Sequence, residues 1–148
     1  MQISNKDIWL MAFDFGLMRI GVAIANNNLK IAHPLEIVTG KNNLEKMAQI
    51  TKLIDTWKPF ELIVGMPNPT DDKIDLINNI KKFINRLKYN FKLNVVIINE
   101  DYTSLEASKL LNQQQIYGIK QKNKLDSLSA VVILNTYFSK QVIKEHDL

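Results

Sequence analysis

Apolar residues follow two rhythms along this chain. From Ile8 to Phe15, and again from Ile20 to Ala25, apolar residues run almost without interruption, and both segments read as strands. Gly16 to Met18 separates them as a tight turn, so the pair is expected to form a hairpin. Lys30 to Val38 gives a third extended segment, and its Pro34, which lacks a backbone donor, places it at an edge or a bulge. Connections this short favour antiparallel pairing among the three.

The rhythm then becomes helical. Leu44, Met47, Ile50, Ile54 and Trp57 recur at helical spacing, and Pro59 stops the run. ELIVG reads as a short buried strand. In PNPTDDKIDLINNIKKFINRLKYNF the inner face is expected at Ile74, Ile77, Ile80, Ile84 and Leu87. Thr70 suits the N-cap, Asp71 and Asp72 lie near the positive end of the helix dipole, and Lys81, Lys82 and Lys88 lie toward the other end. LNVVIIN is a further buried strand. TSLEASKLLNQQQ predicts a third helix, opened by Thr103 and Glu106 at the spacing of a capping box. IYGIKQKNK reads as a flexible loop and LDSLSAVVILNTYFSK as the last helix. The order β-β-β-α-β-α-β-α-α implies an α/β fold with a five-stranded mixed sheet. Three strands form an antiparallel meander, two more are parallel, and helices cover both faces. With no repeat or linker in view, residues 1–148 are expected to form one domain with flexible ends at 1–7 and 141–148.

Composition narrows the function classes. The 148 residues are 46% apolar and 23% charged, as in a globular protein with a real core. No apolar run is long enough for a membrane span, and the N-terminus MQISNKDIWL lacks the pattern of a secretory signal. The absence of cysteine excludes disulfides, thiol catalysis and Cys-based zinc sites, and is compatible with the cytoplasm. A net charge of +4 permits a polyanionic partner. Between Lys109 and Lys124 there are four lysines and no acid, whereas Arg19 and Arg86 are the only arginines, so a base-reading DNA surface is not evident.

Three acids interrupt or end apolar segments. Asp14 ends the first strand, Glu100 follows VVIIN, and Asp126 opens the last helix, in line with Ala130, Ile133 and Tyr137 on a mostly apolar face. Singly, each has an ordinary explanation: a turn aspartate before glycine, a solvated loop acid, and an acid at a helix N-terminus. Together they are expected at one edge of the sheet, where strand ends create sites in open α/β folds. Carboxylates facing one point repel each other, and a divalent cation relieves that repulsion. Mg²⁺ and Mn²⁺ take oxygen ligands, and two such ions about 4 Å apart can activate water and stabilise the leaving oxygen of a phosphodiester. His33 and His146 are expected at the surface.

Four blocks, AFDFGLMRIGVAIA, ELIVGMPNP, NEDYTSLEASKLL and KLDSLSAVVIL, carry a family resemblance over roughly Trp9 to Phe138. In order and spacing they resemble the YqgF family, Holliday-junction-resolvase-like nucleases of the ribonuclease H-like superfamily. The resemblance implies a ribonuclease H-like fold and a Mg²⁺- or Mn²⁺-dependent endonuclease. Asp14, Glu100 and Asp126 then form the catalytic and metal-binding cluster. Gly16 and Arg19 match the turn and basic residue after the first aspartate, and Thr103 and Ser104 match a hydroxyl pair after the glutamate. The implied partner is nucleic acid: the 5′ end of precursor 16S rRNA, within ribosomal precursor particles, ahead of junction DNA. Apart from the resemblance, the loop that carries Lys120, Lys122 and Lys124 before Asp126 reads either as a basic flap that meets the phosphate backbone or as a solvated linker. Two departures stand out. Asn99-Glu100-Asp101 replaces the usual Asp-Glu-Arg, and NPTDD replaces a loop that usually carries Asn and Asp-Gly.

Two other readings compete. A catalytically weak RNA-binding or ribosome-assembly module fits the loss of the arginine beside Glu100. An ATP-binding phosphotransferase also begins with Asp-x-Gly on a hairpin, but needs two such domains, and the chain has no second Asp-x-Gly loop. Oligomeric state is not encoded in any of these features.

Overall fold

In a computed structural model, residues 7–99 and 128–140 are described. Three strands come first: β1 (Trp9–Phe15), β2 (Arg19–Asn26) and β3 (Ile31–Thr39). They are followed by α1 (Asn43–Trp57), β4 (Glu61–Met66), a 3₁₀ turn at Asp71–Lys73, α2 (Ile74–Phe91) and β5 (Asn94–Asn99). A third described helix, α3, covers residues 128–140. The sheet order is β3-β2-β1-β4-β5, which puts β1 at the centre. β1 pairs antiparallel with β2, and β2 with β3, while β4 is parallel to both β1 and β5. The expected five-stranded mixed sheet with helices on both faces is what forms.

Pro34 sits where its missing N–H does least harm. β3 is an edge strand, and the register slips between Val22, opposite Glu36, and Ala23, opposite Pro34, leaving Leu35 as the extra residue of a bulge. The β2–β3 connection is closed by Asn26, whose side-chain oxygen accepts from Asn28 N at 2.8 Å and Leu29 N at 3.2 Å, an Asx turn. Its amide also donates to Asp7 at 3.1 Å, which ties down the chain just before β1.

Strand alternation divides the core into two layers. On one face Met11, Phe13, Ile20, Val22, Ile24, Leu62 and Val64 pack under Ile50 and Ile54 of α1 and Ile80, Phe83, Ile84 and Leu87 of α2. On the other, Leu10, Ala12, Ala23, Ala25, Ile63 and Ile98 pack against Ala130, Val131, Ile133, Leu134 and Phe138 of α3.

The helices correct three expectations. Leu44 is 80% exposed, and the buried stripe of α1 is Lys46, Ile50 and Ile54. Leu44 lies two residues before Lys46 and therefore almost opposite it on the helix. In α2, Ile74 opens the first turn half exposed, and Phe83 enters the core beside Ile80 and Ile84, its ring edge-on to Phe13 at 5.6 Å. Thr70 is extended ahead of the 3₁₀ turn but caps no backbone N–H; its hydroxyl donates to Asp72 Oδ1 at 2.6 Å, and Lys73 occupies the cap of α2. Pro59 does follow the end of α1, where Lys58 turns left-handed and donates its N–H to the Ile54 carbonyl.

Candidate functional site

Asp14 is the penultimate residue of the central strand and is half-buried. Alternation places it on the face of Leu10 and Ala12, the α3 side. Its cross-strand partner on β2 is Gly21. On the other side, one step beyond the paired Phe13 and Val64, stands Gly65 of β4. The carboxylate is therefore flanked in its row by two residues without side chains. Arg19 lies two residues before Gly21 on that same face, the diagonal neighbour position to Asp14.

The turn joining β1 to β2 is tight. Gly16 N donates to Arg19 O at 2.9 Å, so Leu17 and Met18 alone form the tip. A Cβ at Gly16 would stand 2.7 Å from the Arg19 carbonyl oxygen, so only glycine fits. Beneath the tip, Nζ of Lys46 donates to the Leu17 carbonyl at 2.8 Å.

The ends of β4 and β5 border this region. Ile98 is buried on the α3 side, and the amide of Asn99, the last residue of β5, donates to Asn68 Oδ1 at 2.7 Å. That bond ties the β4 loop to the strand end that immediately precedes Glu100. Farther along the loop, the Thr70 hydroxyl holds the Asp72 carboxyl below its ordinary range, helped by a backbone hydrogen bond. In α3, Ala130 and Ile133 are buried and Tyr137 is half-buried, so the face expected to turn inward does so. Tyr137 marks the opposite end of the sheet: its hydroxyl donates to Glu61 Oε1 at 2.7 Å. Burial, then that carboxylate, hold the phenol above its usual range. Asn94 donates to the second oxygen of Glu61.

With this geometry in view, the comparisons with known proteins decide the family. A family model described as "RuvX: Holliday junction resolvase" matches residues 8–140. The chain belongs to the RuvX family. That is the family its four sequence blocks resemble. A relative from Nitrosospira multiformis named "Putative pre-16S rRNA nuclease" is 41% identical over 132 residues, covering 88% of this chain and 87% of its own. One of the same name from Neisseria meningitidis serogroup C is 42% identical over 129 residues, covering 86% and 85%. Among solved structures, T. thermophilus RuvC in complex with a Holliday junction substrate matches with a TM-score of 0.58 at 10% identity, covering 90% of this chain and 96% of that one. The fowlpox virus Holliday junction resolvase matches with a TM-score of 0.55 at 15% identity, covering 91% and 99%. At such identities these two establish the shared resolvase-type fold.

In this RuvX-family chain the structure places Asp14, Gly16 and Arg19 around one turn. Glu100, Thr103, Lys120, Lys122, Lys124 and Asp126 lie outside the described residues, as do Asp101, Ser104, the predicted third helix and the basic loop. Among the described residues no group of three or more His, Cys, Asp or Glu could hold a metal. His33 is exposed on β3, as expected. Sequence reading missed Lys46 and Asn68. Lys46 was detectable, because it precedes Ile50 and Ile54 at four-residue spacing on the inner stripe of α1. Asn68 carries no such periodic signal.

Proposed function

We propose that the protein is a Mg²⁺- or Mn²⁺-dependent endonuclease that matures the 5′ end of precursor 16S rRNA in the cytoplasm, with Asp14, Glu100 and Asp126 as its carboxylates. One observation carries the reading. Ala12, Ile98 and Ala130 belong to one buried cluster on one face of the sheet. Ala12 stands two residues before Asp14 and Ile98 two before Glu100, which is the strand period. Ala130 stands four after Asp126, one helical turn. If the strand and helical periods continue through Glu100 and Asp126, each acid takes the next same-face position beyond a residue of that cluster.

The donor set fits a hard divalent cation, since all three candidates offer carboxylate oxygens. An ion held by Asp14, Glu100 and Asp126 would neutralise their negative charge and activate a water near neutral pH. The chain supplies the rest. Asp14 is mounted on the central strand and held in register by both neighbours. Gly16 lets the backbone of the turn come close to a phosphate. Arg19, on the same face, offers a planar cation to the phosphate backbone, and we assign Lys120, Lys122, Lys124 and Thr103 to the same nucleic-acid partner.

The decisive experiment is Mn²⁺-dependent cleavage of a precursor 16S rRNA 5′ leader and of a four-way DNA junction, by wild type, Asp14→Asn and Asp126→Asn. RNA cleavage lost in both variants supports the proposal, and equal activity in all three overturns the metal mechanism. Cleavage of the junction alone reassigns the substrate. No cleavage, with RNA binding retained, favours a binding module, the reading kept open by Asp101 in the place of the family's arginine.

A further inference from the structure

Lys46 is 8% exposed, and the chemistry described above makes no use of it. Lysine is rarely buried unless its ammonium is paired. Here the stem lies on the inner stripe of α1 and the ammonium crosses to the Leu17 carbonyl of the β1–β2 turn, at 2.8 Å. The side chains of the tip do not hold it, because Leu17 is 58% and Met18 79% exposed; its backbone is closed by the Gly16 N–Arg19 O bond and braced from α1 by Lys46. A turn whose apolar side chains face solvent is not pinned by packing, so a polar anchor on its backbone takes that part.

The other end of the strut is firmly set. Asn42 caps α1 by accepting from Glu45 N at 2.9 Å, and Glu45 accepts from Lys41 N at 2.9 Å. Gln49 donates to the carbonyl of Thr39, the residue paired with Arg19 across β2 and β3. Gly40 permits the close approach: a Cβ there would meet Glu45 Cβ at 3.0 Å and Lys46 Cγ at 3.3 Å. The first turn of α1 is thereby locked to the end of β3, and Lys46 carries that fixed point to the turn between Asp14 and Arg19.

We propose that Lys46 is a positioning residue for phosphodiester hydrolysis, its ammonium holding the β1–β2 turn so that Asp14 and Arg19 keep their relative placement. This rests on the function proposed above. Misplacing a reacting group by about an ångström can cost roughly a hundredfold in rate, so the strut acts on turnover more than on RNA binding.

The test uses the full chain as wild type, Lys46→Met, Lys46→Arg, Gly40→Ala and Asp14→Asn. Three readouts are taken: amide hydrogen exchange at Gly16–Arg19, Mn²⁺ binding by calorimetry, and kcat and KM on the rRNA leader. Lys46→Met keeps the stem and removes the donor. It is expected to speed exchange in the turn about tenfold or more, weaken Mn²⁺ binding several-fold, and lower kcat roughly ten- to a hundredfold with KM within about threefold. Lys46→Arg restores most of this. Should Lys46→Met fail to fold, Gly40→Ala, which displaces the strut without deleting it, is expected to give the same pattern more weakly. Wild-type exchange, Mn²⁺ affinity and kcat in a folded Lys46→Met, with only the melting temperature lowered, overturn the proposal. Asp14→Asn separates the two ideas: normal cleavage and Mn²⁺ binding in that variant overturn the site reading and this proposal with it. Their loss there, beside a wild-type Lys46→Met, overturns this proposal alone.

Discussion

The two faces of the sheet are built from different residues and do different work. Toward α1 and α2 the strands present Met11, Phe13, Ile20, Val22, Ile24, Leu62 and Val64, a thick layer that also holds the Phe13–Phe83 and Phe15–Phe83 ring contacts. Toward α3 they present Ala12, Ala23 and Ala25 beside Leu10, Ile63 and Ile98, met by Ala130. Small residues let one helix lie close to the sheet. In the row beyond, Gly21 and Gly65 flank Asp14. Among the described residues the thick face has the larger buried apolar cluster, and so contributes the larger hydrophobic stabilisation. The thin face is the one on which Asp14 stands. On the proposed function, the chemistry belongs to the thin face and the larger of the two described clusters to the other.

Substitutions on the two faces should separate along those lines. Asp14→Asn on the thin face is expected to reduce metal-dependent RNA cleavage on the order of ten-thousandfold, about 5 kcal/mol of barrier. Its urea midpoint should stay close to that of wild type. Phe83→Ala on the thick face is expected to do the reverse, costing about 3–5 kcal/mol of unfolding free energy with little change in kcat per folded molecule. A wild-type urea midpoint for Phe83→Ala would break the comparison. Ala12→Leu overpacks the thin face and should cost about 1–3 kcal/mol. It should also lower kcat more than a thick-face variant of equal stability, because it pushes on the helix that follows Asp126.

The smallest effect is expected at Tyr137→Phe, which removes the hydroxyl bonded to Glu61, about 1 kcal/mol by urea denaturation. It carries a pH signature. Burial and the Glu61 carboxylate raise the phenol of the folded protein above its ordinary value of 10.0. Above pH 10 the unfolded chain therefore loses a proton that the folded chain retains. The stabilisation is complete below pH 10 and is lost as pH rises beyond it, and a melting series from pH 8 to 11 should show a steeper alkaline fall for wild type than for Tyr137→Phe.

Much of the fold was legible in the chain. Continuous apolar runs marked β1, β2, β4 and β5, and Pro34 marked an edge strand and a bulge, both of which the structure shows. Periodicity failed where a helix contained more apolar positions than its neighbours could cover. Leu44 matched the spacing as well as any residue in α1, yet the inner stripe ran through a lysine. Ile74 matched in α2, yet Phe83 entered the core because its ring could reach those of Phe13 and Phe15. Of the candidate site, Asp14, Gly16 and Arg19 were legible through their turn and family block. Lys46 was passed over because its partner is a backbone carbonyl 29 residues away, which leaves no mark in local sequence.

The sequence by itself determined which segments would be strands and helices, because the period of apolar residues depends only on backbone geometry. It also identified the family, through blocks whose order and spacing survive without coordinates. Only the tertiary structure decided which face each element would turn toward which neighbour. That choice set Asp14 in a row with Gly21 and Gly65, gathered Ala12, Ile98 and Ala130 into one layer, and sent a buried lysine to hold a turn. Those relations depend on register and on close packing between distant segments, and neither is written in any single stretch of the chain.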